Sequence, residues 1–123
     1  MPSNPNAPSS PSAFAGETTG LILIYTTLPD AASAEALGRA LIESRLAACI
    51  NIYPGMIALY EWNGAIERTG EVGMIIKTTA PHLDALLVRA RALHPYEIPA
   101  LLVLGRADAN PDYLAWAKAQ TAR

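Results

Sequence analysis

The stretch Leu46-Ala-Ala-Cys-Ile-Asn-Ile-Tyr-Pro-Gly-Met-Ile-Ala-Leu-Tyr-Glu-Trp-Asn-Gly-Ala-Ile-Glu-Arg-Thr-Gly-Glu-Val-Gly-Met-Ile-Ile-Lys-Thr-Thr79 decides the fold. Cys49 to Trp62 is rich in Ile, Tyr, Leu and Trp, and Ile66 to Thr79 runs back after Asn63-Gly64. Asn-Gly suits the positive φ values of a two-residue type I′ turn, so the pattern predicts one long hairpin. Fourteen residues at strand rise extend about 46 Å. A domain of about 100 residues, with a gyration radius of about 13 Å, has a diameter of only about 34 Å. The far end carries Met56, Ile57, Leu59, Tyr60 and Trp62 with no core of its own to fill. Packing on another subunit outweighs projection into water. The alternative is a strand pair that bends back on itself, since Pro54-Gly55 marks a bulge or kink.

With 123 residues the chain makes one domain. Residues 1–20 hold four of its ten prolines, several serines and one charge, Glu17. Such a segment buries too little apolar surface to offset its ordering entropy and is expected to be a disordered tail, leaving residues 21–123 as the domain. The tail lacks the basic start and apolar run of a signal peptide. No stretch approaches the roughly 20 apolar residues of a membrane span. A net charge of −2 with both signs dispersed supplies no basic stripe for nucleic acid. One cysteine excludes an internal disulfide framework and fits a reducing, cytoplasmic compartment.

Around the hairpin the other elements fall into order. Leu21 to Thr27 is an apolar, β-branched run of strand length, and Asp30 offers an N-cap to a helix ending near Arg45. Ala34, Leu37 and Leu41 line one face of that helix, and Gly38 lets it sit close to a sheet. Thr79-Ala80-Pro81 starts a second helix, with Thr79 as its cap, and Pro95 stops it. Leu101 to Leu104 reads as a short apolar strand with both faces covered, and Asn110-Pro111 caps a last helix. The fold class is α+β: β-α-β-β-α-β plus a C-terminal helix, the ferredoxin-like split β-α-β sandwich on an antiparallel sheet. Right-handed crossings put the first two helices on one face. The opposite face is then bare and apolar, a second reason to expect a closed homo-oligomer.

The polar inventory is small. Cys49 reads first as a small buried hydrophobe, and as a soft-metal ligand only with companions. His94 is the nearest in kind, in His94-Pro-Tyr-Glu-Ile-Pro99, where two prolines stiffen an extended loop that presents His94, Tyr96 and Glu97. That loop fits a binding role and a docking role equally. Lys77 lies in the apolar strand after Met74-Ile-Ile76, and a buried lysine calls for a carboxylate, Glu71 or Glu97. His82 reads as a solvated first-turn residue. Cys-x-x-Cys, glycine-rich phosphate loop and Gly-x-Ser-x-Gly motifs are all missing, and Cys49 has no base within sequence reach, so the chain reads as non-enzymatic with no organic cofactor.

Leu46-Ala-Ala-Cys-Ile-Asn-Ile52, Pro54-Gly55, Tyr60-Glu-Trp-Asn-Gly64, Glu71, Ile76-Lys-Thr78, His94-Pro-Tyr-Glu97 with Pro99, and Tyr113-Leu-x-Trp116 together resemble the CutA divalent-cation tolerance proteins in order and spacing, across residues 21–119. The resemblance implies a ferredoxin-like subunit in a tight homotrimer and a role in tolerance of copper and other divalent cations. It also implies a metal set of His94, Cys49 and Glu97. Three departures make the implied binding weak: Thr26 stands where some members carry a cysteine, Leu93 where some carry a second histidine, and Ala100 where an acid is usual. A second function class stays open. Nitrogen-regulatory signal proteins resemble this chain in fold and trimeric state and bind small molecules between subunits. Trp62, Lys77, Tyr96 and Glu71 could line such an inter-subunit cleft, although scattered glycines offer no phosphate cradle.

Overall fold

A computed structural model describes residues 20–122. The expected disordered tail lies almost wholly outside them. Four strands, β1 (Leu21–Leu28), β2 (Cys49–Trp62), β3 (Ala65–Thr79) and β4 (Leu102–Ala107), form one antiparallel sheet in the order β2-β3-β1-β4. Helices α1 (Ala31–Glu43) and α2 (Leu83–Leu93) fill the two split β-α-β crossings, and α3 (Pro111–Thr121) follows β4. This is the expected α+β, ferredoxin-like arrangement.

Alternation along β1 and β3 sets the core. Ile22, Ile24 and Leu28 share a face with Met74 and Ile76, and on it pack Ala34, Leu37 and Leu41 of α1 and Leu86 and Ala90 of α2. Helix α1 starts where expected: the Asp30 carboxylate accepts the Ser33 N–H at 2.8 Å. A side chain at Gly38 would meet Ile50 Cγ2 at 3.0 Å, so the small residue does allow the close approach.

Helix α3 changes the expected bare face. Ala117, with Tyr113 and Leu114 beside it, packs against Leu21 and Ala48 and covers one end of the sheet's second side. Thr79 does not cap α2. Its hydroxyl meets that of Thr121 at 3.1 Å instead, tying α3 to the end of β3, and a 3-10 turn at Ala80–His82 leads into α2. Strand β4 starts at Leu102 rather than Leu101, extends to Ala107 and lies at the sheet edge. Leu102, Val103 and Leu104 are about half exposed on the single chain, so its own helices do not cover both faces. An apolar edge strand is a surface that soluble proteins cover.

The hairpin forms as read. Asn63 and Gly64 both have positive φ, +52° and +82°, as a type I′ turn requires. Pairing with β1 stops at Val72, so Ala65 to Glu71 pairs only with β2 and projects about 23 Å beyond the sheet body. Side chains switch from buried to exposed at that boundary: Ile57, Leu59 and Ile66 are 56, 69 and 79% exposed. Between Tyr53, opposite Gly73, and Met56, opposite Glu71, β2 holds two residues to β3's one. Gly55 in this bulge sits at φ +81°, open to glycine at little cost.

Candidate functional site

The bulge decides which side chains meet. Before it, Cys49, Asn51 and Tyr53 share a face with Lys77, Ile75 and Gly73; after it, Met56, Tyr60 and Trp62 take that same face, opposite Glu71, Glu67 and Ala65. The extra residue thereby moves Tyr60 and Trp62 onto the side away from the core. There they line one wall of a cavity of about 790 Å³, together with Glu67, Thr69 and Glu71 of β3. The loop after α2 supplies the opposite wall, through Tyr96, Glu97 and Ile98.

That loop crosses the end of the sheet. His94, buried at 8% exposure, faces the core side, where its Nε2 lies 3.0 Å from Thr26 Oγ1. Its Nδ1 accepts the Tyr96 backbone N–H at 3.1 Å. A nitrogen that accepts carries no proton, so the ring is the neutral Nε2–H tautomer donating to Thr26. Burial lowers the His94 pKa from its ordinary value of 6.5, and a favourable contact with the Thr27 backbone offsets part of this. Two residues on, the Tyr96 hydroxyl donates to Glu71 Oε2 at 2.6 Å. Burial first, then this bond and the charge of Glu71, hold the Tyr96 phenol far above its usual pKa, so it remains a donor.

Of the residues read as a cleft, Trp62, Tyr96 and Glu71 are brought together and Lys77 is not. Lys77 pairs with neither Glu71 nor Glu97. Its ammonium lies 3.4 Å from the Tyr113 hydroxyl and 5.4 Å from that ring's centre. The reason is α3, which brings Tyr113 over the proximal half of β3. A half-exposed lysine there keeps its stem on the sheet and its charge on an aromatic face.

The metal set is dispersed. Cys49 is half-buried and, through its pairing with Lys77, points to the sheet face opposite Thr26 and His94. Glu97 lies in the cleft wall while His94 turns inward. Among the described residues no three His, Cys, Asp or Glu side chains converge as a metal ion requires. The sequence reading missed Thr26 as the partner of His94, and Tyr60, Glu67 and Thr69 as cleft residues. The Pro54-Gly55 signal could have found Tyr60, because the bulge shifts the faces of β2 beyond it, and plain alternation from Glu71 along β3 could have found Thr69 and Glu67.

A family model described as CutA1 divalent ion tolerance protein matches residues 22–120. The divalent-cation tolerance protein CutA of Pectobacterium atrosepticum is 44% identical over 98 residues, covering 80% of this chain and 89% of that protein. The crystal structure of CutA from Xylella fastidiosa superposes with a TM-score of 0.79 at 40% identity, over 83% of this chain and 98% of the other. A CutA from Archaeoglobus fulgidus described as periplasmic superposes at 0.77 with 30% identity, over 82% of this chain and 98% of that one. No helix among the described residues is long and apolar enough to cross a membrane. With the ferredoxin-like sheet, the overlong hairpin and the His94–Glu97 loop in place, this chain belongs to the CutA family of divalent-cation tolerance proteins.

Proposed function

We propose that this chain is the non-enzymatic subunit of a cytoplasmic homotrimer acting in tolerance of divalent metal ions, copper foremost, with a weak metal contact centred on His94. Family membership over residues 22–120 carries the reading. The exposed apolar arm and the half-exposed edge strand β4 support the assembly, since both offer surface that a second copy can cover. The geometry of His94 supports weak binding. Either ring nitrogen must give up a hydrogen bond before it can ligate, and Glu97 is the only other member of the metal set on the same loop. Cys49 contributes only across a subunit boundary. Native mass spectrometry with and without Cu(II) tests both parts. The expected spectrum is a trimer with substoichiometric copper, lost in His94→Ala and falling as the pH drops below about 6.5, because a ligating imidazole must be neutral. Full copper stoichiometry in the His94→Ala trimer removes the metal assignment; a folded monomer removes the trimer.

The cleft favours a second reading, a small-molecule signalling module. Its volume of about 790 Å³ lies in the range of ligand sites. Lys77 stands outside it and three carboxylates stand within it, so a nucleotide or other polyanion is a poor fit.

A further inference from the structure

We propose that the outer side of α2 is a docking groove for the N-terminal tail of the same chain, with Phe14 as the anchor. Leu86 and Ala90 turn one side of α2 into the core. About half a turn away, Ala85, Val88 and Ala92 line an apolar groove of about 530 Å³, bounded by Leu46 of the turn after α1. Val88 is 74% exposed there, although the outward side of such a helix is ordinarily polar. Asp84 and Arg89 are the charged residues on its rim. The groove lies on the helix side of the sheet, and the arm, strand β4 and the face under α3 do not contribute to it. It is therefore separate from the surfaces proposed for assembly.

Three observations single out the tail as the occupant. The first is the place where the chain enters the sheet. Leu21 pairs with Thr79, the Thr78 hydroxyl donates to the Leu46 carbonyl at 2.6 Å, and Ala80 leads directly toward α2. Entry to β1, Leu46 and the start of α2 thus share one end of the sheet. The second is reach. From Ala80 to Val88 the 3-10 turn and helix rise about 15 Å, and Leu21 stands about 5 Å from Thr79. Phe14 precedes Leu21 by seven residues, a span of up to about 23 Å when extended. The third is chemistry. Phe14 is the chain's single phenylalanine, flanked by Ala13 and Ala15, and Glu17 is the one charged side chain of the tail. Residues 1–12 hold neither an aromatic nor a charged side chain. Glu17 is opposite in sign to Arg89 and at most about 10 Å from Phe14, so both can be engaged together. A short tether supplies a millimolar effective concentration, so one ring and one ion pair suffice.

The test uses the assembled full-length protein with para-fluorophenylalanine incorporated, which labels Phe14 alone. Its fluorine NMR resonance is expected to be displaced from that of the urea-unfolded chain and shielded from a soluble gadolinium chelate. Val88→Asp, at an exposed position whose fold is checked by circular dichroism, should return the signal to the unfolded position. Arg89→Gln should lower the docked-to-free ratio about twofold, as loss of one exposed ion pair would. Ala36→Asp, on the exposed side of α1, should change neither position nor shielding. A wild-type signal already at the unfolded position and fully relaxed by the chelate overturns the proposal. So does a displaced signal that Val88→Asp leaves in place, which puts Phe14 elsewhere. An equal return in Ala36→Asp means a general effect of charge and overturns it too. Labelled Val88→Asp chains refolded with unlabelled wild-type chains should keep the free signal; a displaced one gives the groove to the tail of a second copy and overturns docking within the chain.

Discussion

His94 is bonded on both sides, and the direction of its pKa shift fixes a pH dependence. The folded protein favours the neutral ring, so its folded pKa lies below the ordinary 6.5. As pH falls, the unfolded chain takes up the proton first, and in that window it binds more protons than the folded one. The contribution of His94 to stability is therefore complete above about pH 6.5, declines from there through the lower folded value, and then levels off. Protonation would also set an Nδ1–H against the Tyr96 N–H that it now accepts. The denaturation midpoint in urea should fall between pH 7.5 and 5, with the slope reduced in His94→Gln; identical slopes in the two proteins would contradict the assignment. His94, Tyr96 and Glu71 were legible because two prolines single out the loop and the hairpin singles out the strand. The partner of Lys77 was not, because alternation gives a side chain's face and says nothing of which distant helix will cover it.

The element most legible in the sequence is the β2-β3 hairpin, whose turn residues have one reading. A side chain at Gly64, at φ +82°, enters the left-handed region and costs roughly 1–2 kcal/mol. Gly64→Ala should therefore lower stability by about 1 kcal/mol in denaturant titration, although nothing within 4 Å of the site would clash with the new methyl. A neutral substitution would mean that the turn relaxes when bound in an assembly. The cap at Asp30 was equally plain, because Asp-x-x-Ser places its partner locally. Thr79 was misread for the opposite reason. Its hydroxyl has a competing partner in Thr121, 42 residues away, which only the placement of α3 creates. Strand β4 shows a further ambiguity: an apolar run reads the same whether its own helices or a neighbouring copy cover it.

At the scale of the molecule, the core beneath α1 and α2 ends at Val72 while the arm continues without one. In the proposed trimer the arm gains its covering from neighbours, so folding and assembly should be one transition that shifts to lower temperature on dilution. Trp62→Ala should weaken assembly by about 3–5 kcal/mol if the ring is buried in a contact. Sedimentation equilibrium of variant and wild type gives the difference, and equal association constants would place the arm tip outside any interface. The bulge at Pro54-Gly55 also says what kind of change this chain can absorb over evolutionary time. With Tyr53 opposite Gly73 and Met56 opposite Glu71, a single residue in place of the two between them would stand across from Val72 and restore a regular ladder, with Tyr60 and Trp62 still across from Glu67 and Ala65. Losing one codon there would therefore leave the faces of the arm as they are and remove only the local bend and twist that a bulge imposes. Such a shortened chain should keep its hairpin pairing and differ in where the arm is aimed.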